Sequence, residues 1–105
     1  MTVKSSLYLS GEEGRTLLRQ IGTMNLFAIS GGRCVWGYED DLTLPVKNNI
    51  DVRIQYVRGL DLYLVQRVRR IVRGARKGER IVEKEFTHVG AEEIGEVAYR
   101  ASLDD

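Results

Sequence analysis

Apolar residues occupy alternate positions through the middle of the sequence, and this pattern constrains the fold more than any other feature. They fall at even-numbered positions in four successive segments, at residues 42–46, 50–56, 60–64 and 68–72. Alternation with a period of two is typical of β-strands that place one face in a core. A register that keeps all even positions on one face must pair residues whose numbers add to an even value.

Three-residue loops meet this requirement, and their last residue then adopts a left-handed conformation that favours glycine or asparagine. Three candidate loops end in such a residue: "KNN" (47–49), "VRG" (57–59) and "RKG" (76–78). They predict an antiparallel meander of hairpins. The last loop would place Arg69 opposite Glu85 on the odd-numbered face.

Helices are predicted on both sides of the meander. Residues 10–13, "SGEE", have the pattern of a capping box, in which Ser10 accepts a hydrogen bond from the amide of Glu13. An apolar stripe of about three turns follows and ends at Gly22, a common helix stop. Residues 90–101 repeat apolar side chains with the spacing of one helix face.

Residues 24–30, "MNLFAIS", are apolar on both sides and are predicted to form a strand. The two glycines at 31–32 would form a tight hairpin turn to a partner strand. The predicted fold class is therefore α+β, an antiparallel meander sheet of about six strands with an N-terminal and a C-terminal helix on one face. We expect residues 1–105 to form a single domain.

The charge distribution is uneven, although the net charge of the chain is only +1. Residues 65–80 contain seven cations and a single acid, Glu79. A strongly basic chain would indicate nucleic-acid binding by composition alone. In this chain only the predicted hairpin that contains residues 65–80, which we call the basic hairpin, favours such a role.

One face of the basic hairpin is predicted to combine guanidinium groups with an aromatic ring, a combination that suits phosphates and unstacked bases. The candidate residues for binding nucleic acid or an acidic host protein are Arg53, Tyr63, Arg67, Arg69, Arg73, Arg76, Lys77 and Arg80. The alternative is a solvated ribbon without a partner, in which Arg69 pairs with Glu85, and Arg67 or Arg73 with Glu83.

Catalytic and metal-binding chemistry is not predicted. The chain contains one histidine, His88, and one cysteine, Cys34, so neither a nucleophile–base–orienter set nor a Cys/His zinc site can be assembled. We expect no enzyme activity, no cofactor and no metal. No apolar run is long enough to span a bilayer and the N-terminus lacks an apolar signal core, so a cytoplasmic protein without a membrane partner is expected.

Three segments resemble a family of small phage and prophage proteins with a "QLGGNxFIAMTGAK"-like motif, an Asp-x-Tyr strand and an acidic C-terminal helix. The segments are "LLRQIGTMNLFAISGGR" (17–33), "DLYLV" (61–65) and "EEIGEVAYRAS" (92–102). The matching positions are Gln20, Gly22, Asn25, Ala28, Ser30, Gly31, Arg33, Asp61 and Tyr63. The resemblance implies a phage or mobile-element origin and an α+β topology, but it assigns no catalytic or binding residue. Leu64 stands where the family often has a second acid.

These patterns lead to three functional hypotheses. The first is a non-enzymatic phage accessory protein that binds nucleic acid or a host nucleic-acid machine through the basic hairpin, an inhibitor of bacterial defence being one form. It would act in the cytoplasm of an infected or lysogenic host. The second is a protein-interaction or homodimerisation module that uses edge strands at 24–30 or 79–89. The third is a small nucleotide-sequestering protein with a pocket of Trp36, Tyr38 and Tyr63.

Overall fold

A computed structural model of the protein describes residues 11–103. The elements are α1 (Gly11–Ile21), α2 (Thr23–Ser30), β1 (Val35–Trp36), β2 (Asp41–Pro45), β3 (Ile50–Val57), β4 (Leu62–Arg70), β5 (Arg80–Val89) and α3 (Ile94–Ala101). The strands form one antiparallel sheet in the order β1-β2-β3-β4-β5. The predicted α+β meander is confirmed, but the described part of the chain has five strands and three helices. Ser10 of the predicted capping box lies outside the described residues.

The helices pack on one face of the sheet and bury it. Leu42 and Leu44 of β2 and Val52 and Ile54 of β3 are fully buried, together with apolar residues of α1 and α3. The prediction that even-numbered residues face the core is therefore confirmed for β2 and β3. We call the opposite side of the sheet, which the helices leave uncovered, the open face.

Residues 24–30 form a helix, so the predicted strand and its hairpin are wrong. Gly31, at φ 67°, caps the end of α2 with its amide directed at the carbonyl of Phe27. The segment is apolar on all sides, so its pattern did not distinguish a buried strand from a helix. Two glycines that suit a hairpin turn also suit a left-handed helix cap, and here they act as the cap.

The β2–β3 hairpin has the predicted register and turn. Leu44 pairs with Val52, and Asn48 and Asn49 both adopt left-handed conformations. The β3–β4 connection differs, because Val57 pairs with Leu62 and the sum of paired numbers becomes odd. The left-handed residue of this turn is Asp61, at φ 55°, and not the predicted Gly59.

The β4–β5 connection spans residues 71–79, so the predicted register of the "RKG" hairpin is wrong, although Gly78 has the predicted positive φ, at 95°. Arg69 lies opposite Ile81 and Arg70 opposite Arg80, and two register shifts interrupt the pairing further along. Hydrogen bonds between Ile71 and both Gly78 and Glu79 close this loop at its base. The basic segment therefore ends in a nine-residue loop that is folded back on itself.

Paired residues of β3 and β4 have numbers that add to an odd value, which we call the odd register. This register places the odd-numbered side chains of β4, and not the even-numbered ones, on the face that the helices cover. Tyr63 and Arg67, expected on the exposed side of the ribbon, lie on the helix-covered face and are buried. A shift of one residue moves every side chain of a strand to the other face, so one misplaced turn accounts for the error. None of the helices in residues 11–103 is long and apolar enough to cross a membrane.

Candidate nucleic-acid interface

The eight predicted binding residues do not share a surface, and Arg67 is the clearest case. Only 4% of this residue is exposed. Its Nε donates to Glu83 Oε1 at 2.9 Å, and its Nη1 donates to the carbonyl oxygens of Ala101 at 3.1 Å and Leu103 at 2.9 Å. These carbonyls lie at the end of α3, where the helix leaves its acceptors unpaired. Arg67 thus joins α3 to the sheet and is not available to a ligand.

Carboxylates of the same chain neutralise three more of the predicted cations. Arg53 lies on the open face, 3.2 Å from Asp41 Oδ2 and 3.6 Å from Glu39 Oε1. Arg69 donates to Glu83, and Arg76 Nε donates to Glu79 Oε1 at 2.8 Å. The alternative pairing of Arg67 with Glu83 is therefore present, whereas the predicted pairing of Arg69 with Glu85 is wrong.

The carboxylate of Glu83 accepts from two arginines at once. The hydrogen bond from Arg67, followed by that from Arg69, holds the pKa of Glu83 below its usual value. Glu85 lies on the open face and accepts from Gln66 Nε2 at 2.8 Å. The middle of the basic ribbon is consequently occupied by internal ion pairs and hydrogen bonds.

Three exposed cations remain at the end of the ribbon without an ion pair to any carboxylate in residues 11–103. They are Arg73, Lys77 and Arg80. Arg70, which the sequence prediction left out, lies directly opposite Arg80 on the neighbouring strand. Its Nε is 2.9 Å from Asp51 Oδ2 but is buried without a hydrogen bond. Arg70 was missed because its even number assigned it to the core face.

Arg70 and Arg80 lie between two adjoining depressions in the surface. One depression, of about 300 Å³, is lined by these arginines with Val35, Thr43, Pro45 and Asp51. The other, of about 280 Å³, is lined by the same arginines with Ile71, Val72, Lys77 and Gly78. We call the two depressions together the basic cleft. It runs from the open face near β1 to the 71–79 loop and combines cations with apolar walls.

The arrangement of Arg70 and Arg80 favours an anion between them. Like charges directly opposite one another on antiparallel strands destabilise a sheet. Asp51 lies beside Arg70, but no carboxylate among the described residues pairs with Arg80. A phosphate bound between the two guanidinium groups would remove the repulsion, and each group can donate two parallel hydrogen bonds to it.

A second cavity, of about 170 Å³, lies on the helix-covered side near the β3–β4 turn. Its lining consists of Glu12, Glu13, Thr16, Gln20, Tyr56, Asp61 and Tyr63. Tyr56 donates to Asp61 Oδ1 at 2.5 Å, and this bond raises the pKa of Tyr56 to about 12. Tyr63 donates to Gln20 at 3.0 Å, and burial raises its pKa.

This cavity differs from the predicted nucleotide pocket. Neither Trp36 nor Tyr38 lines it. The ring of Trp36 instead packs on Gly14 of α1. Arg58 donates hydrogen bonds to Asp40 and Glu13, and these bonds raise its pKa. The three carboxylates that line the cavity, those of Glu12, Glu13 and Asp61, oppose a phosphate. Among residues 11–103, no three histidine, cysteine or acidic side chains are grouped to hold a metal ion.

Comparison of the chain with protein-family models, curated proteins and solved structures finds no match.

Proposed function

We propose that the protein binds the phosphate backbone of nucleic acid through the basic cleft and acts by binding, without catalysing a reaction. The observation that carries the proposal is the cross-strand pair of Arg70 and Arg80, with Arg73 and Lys77 beside it on the 71–79 loop. Arg73, Lys77 and Arg80 are exposed and have no carboxylate partner within the described chain.

An extended polyanion fits this surface better than a single small anion. The cations follow one another along the 71–79 loop and the end of β5, so successive phosphates could each meet one of them. Val35 and Val72 are exposed beside the arginines, by 60% and 45%, and offer apolar contacts for sugars or bases. The resemblance to phage proteins also supports an accessory role in which the target is nucleic acid.

The number of available cations sets the expected strength and salt dependence of binding. Three phosphate contacts, by Arg73, Lys77 and Arg80, would give a slope of about −2.7 in a plot of log affinity against log salt for a duplex, and about −2.1 for a single strand. Such a small interface predicts modest affinity without strong base specificity, because phosphate contacts carry no sequence information.

Fluorescence anisotropy with short labelled DNA and RNA, single- and double-stranded, tests the proposal between about 50 mM and about 200 mM salt. The double variant Lys77→Gln/Arg80→Gln should bind more weakly and lower the slope by about 1.8 on a duplex. The matched control is Arg15→Gln/Arg19→Gln, which removes two exposed cations from α1. Absence of binding at the lowest salt, or an equal loss in the control, would refute the proposal.

A further inference from the structure

Helix α2 has a second apolar face that nothing in the described chain covers. Met24 is 84% exposed and Phe27 is 63% exposed, and both point away from the core. Ala28 and Gly31 are also exposed and share this face, since the four positions follow the i, i+3, i+4, i+7 spacing. Exposed apolar residues at this spacing mark a helix that packs on both sides.

The inward face of α2 packs into the core without any contribution from these four exposed residues. Ile29 is buried in the core and Leu26 packs against it. Asn25 donates to the carbonyl of Ile21 at 2.9 Å, and Ser30 donates to that of Leu26 at 3.3 Å. The four residues of the outward face have no charged or polar side chain that would recognise a polar ligand.

The order of large and small residues on this face is complementary to itself. Met24 and Phe27 are large and come first, whereas Ala28 and Gly31 are small and follow. A two-fold axis between residues 27 and 28 would set two α2 helices antiparallel. Met24 would then meet Gly31 of the second copy, and Phe27 would meet Ala28. Each large side chain faces a small one, which is the shape match that an isologous interface requires.

We propose that this outward face of α2 binds the same face of a second copy of the chain. A second copy suits it better than a charged partner, because the face has no charge to pair with one. Met24 and Phe27 expose roughly 250–300 Å² per copy, or about 500–600 Å² for two copies, so the contact falls below the total of ~1,200 Å² that a stable complex buries. We therefore expect a concentration-dependent dimer, with a dissociation constant in about the micromolar range or weaker.

The dimer is separate from the proposed nucleic-acid site. Helix α2 belongs to the helical layer, whereas the basic cleft opens on the other side of the sheet and at the 71–79 loop. Substitutions on α2 can therefore abolish self-association while the basic cleft keeps its affinity, and the two proposals can fail independently.

Sedimentation velocity on the full chain, from low micromolar to about 1 mM, tests the dimer and its register. The wild type should shift from monomer to dimer. Phe27→Lys and Ala28→Glu should each remain monomeric, since each places a charge in the apolar contact. An equimolar mixture should recover dimers, because the introduced lysine then faces the introduced glutamate across the two-fold axis. Circular dichroism confirms that each variant is folded.

Leu60→Lys is the matched control, since Leu60 is an exposed apolar residue in the β3–β4 turn. It should dimerise like the wild type. A wild type that stays monomeric throughout, or a control that loses the dimer equally, overturns the proposal. A mixture of Phe27→Lys and Ala28→Glu that stays monomeric overturns the antiparallel arrangement on which the proposal depends.

Discussion

Replacing Arg67 by methionine separates its structural role from a binding role. The change keeps a long apolar stem in place but removes the donors to Glu83, Ala101 and Leu103. The carbonyl of Ala101 and one side of the Glu83 carboxylate would then lose this donor, whereas the carbonyl of Leu103 would keep its hydrogen bond from Lys84 Nζ. We expect Arg67→Met to destabilise the fold and to leave the nucleic-acid affinity of the folded protein unchanged.

The expected loss in the free energy of unfolding depends on how many hydrogen bonds Arg67→Met removes and on how buried they are. Hydrogen bonds to a charged group contribute about 1.5–3 kcal/mol each, and removing one partner of a buried ion pair costs about 3–5 kcal/mol. Solvent can reach the exposed part of Glu83 and the packing of the stem is retained, so we expect about 3 kcal/mol. For a domain of this size that corresponds to a Tm lower by about 12–24 °C.

Urea unfolding followed by circular dichroism measures this difference, with Arg69→Met as the matched control. Arg69 binds the same carboxylate of Glu83, but its side chain is 49% exposed. Exposed ion pairs contribute about 0.2–1 kcal/mol, so the control should lose less than about 1 kcal/mol. Equal losses in the two variants, or a loss below about 1 kcal/mol for Arg67→Met, would refute the reasoning.

Two further predictions concern a tyrosine and a glycine. Because the folded-state pKa of Tyr56, about 12, lies above the ordinary value of 10.0, its contribution to stability is complete below pH 10 and is lost as pH rises through about 12. Asp61→Asn should lower that pKa, and an unchanged tyrosinate titration in the ultraviolet would exclude the bond. Gly95→Ala should destabilise by about 2 kcal/mol despite its better helix propensity, because its Cβ would lie 2.5 Å from the last carbonyl oxygen of α1. Gly90→Ala, which meets nothing within 4 Å, should be nearly neutral in thermal unfolding.

The parts of the fold that sequence predicted well are those decided by local chemistry. The β2–β3 hairpin combines clear alternation with two asparagines that tolerate left-handed conformations. Helices α1 and α3 show the periodicity of a single buried face, and Gly22 follows directly after α1. In each case propensity, pattern and turn residues agree, and agreement across these levels makes a prediction reliable.

The errors arise where long-range contacts decide between local alternatives. Gly59 had the better intrinsic propensity for the left-handed position of the β3–β4 turn, yet Asp61 occupies it. The carboxylate of Asp61 accepts a hydrogen bond from the hydroxyl of Tyr56 across the turn, a contact that turn statistics do not include. Helix α2 is comparable, since its uniformly apolar sequence suits either secondary structure until its neighbours are in place.

The register of β4 determines which arginines can bind a partner. With the predicted even register, Arg67 and Tyr63 would have been exposed and Arg70 would have faced the core. The odd register places Arg67 against the carbonyls of α3 and brings Arg70 to the open face opposite Arg80. Arg67 is thereby buried with its partners, whereas Arg70 and Arg80 lie opposite each other at the end of the sheet. Asp51 pairs with Arg70, but no carboxylate in the described residues pairs with Arg80. An anion bound beside Arg80 should therefore stabilise the fold, so phosphate-containing ligands should raise the Tm of the wild type more than that of Arg80→Gln.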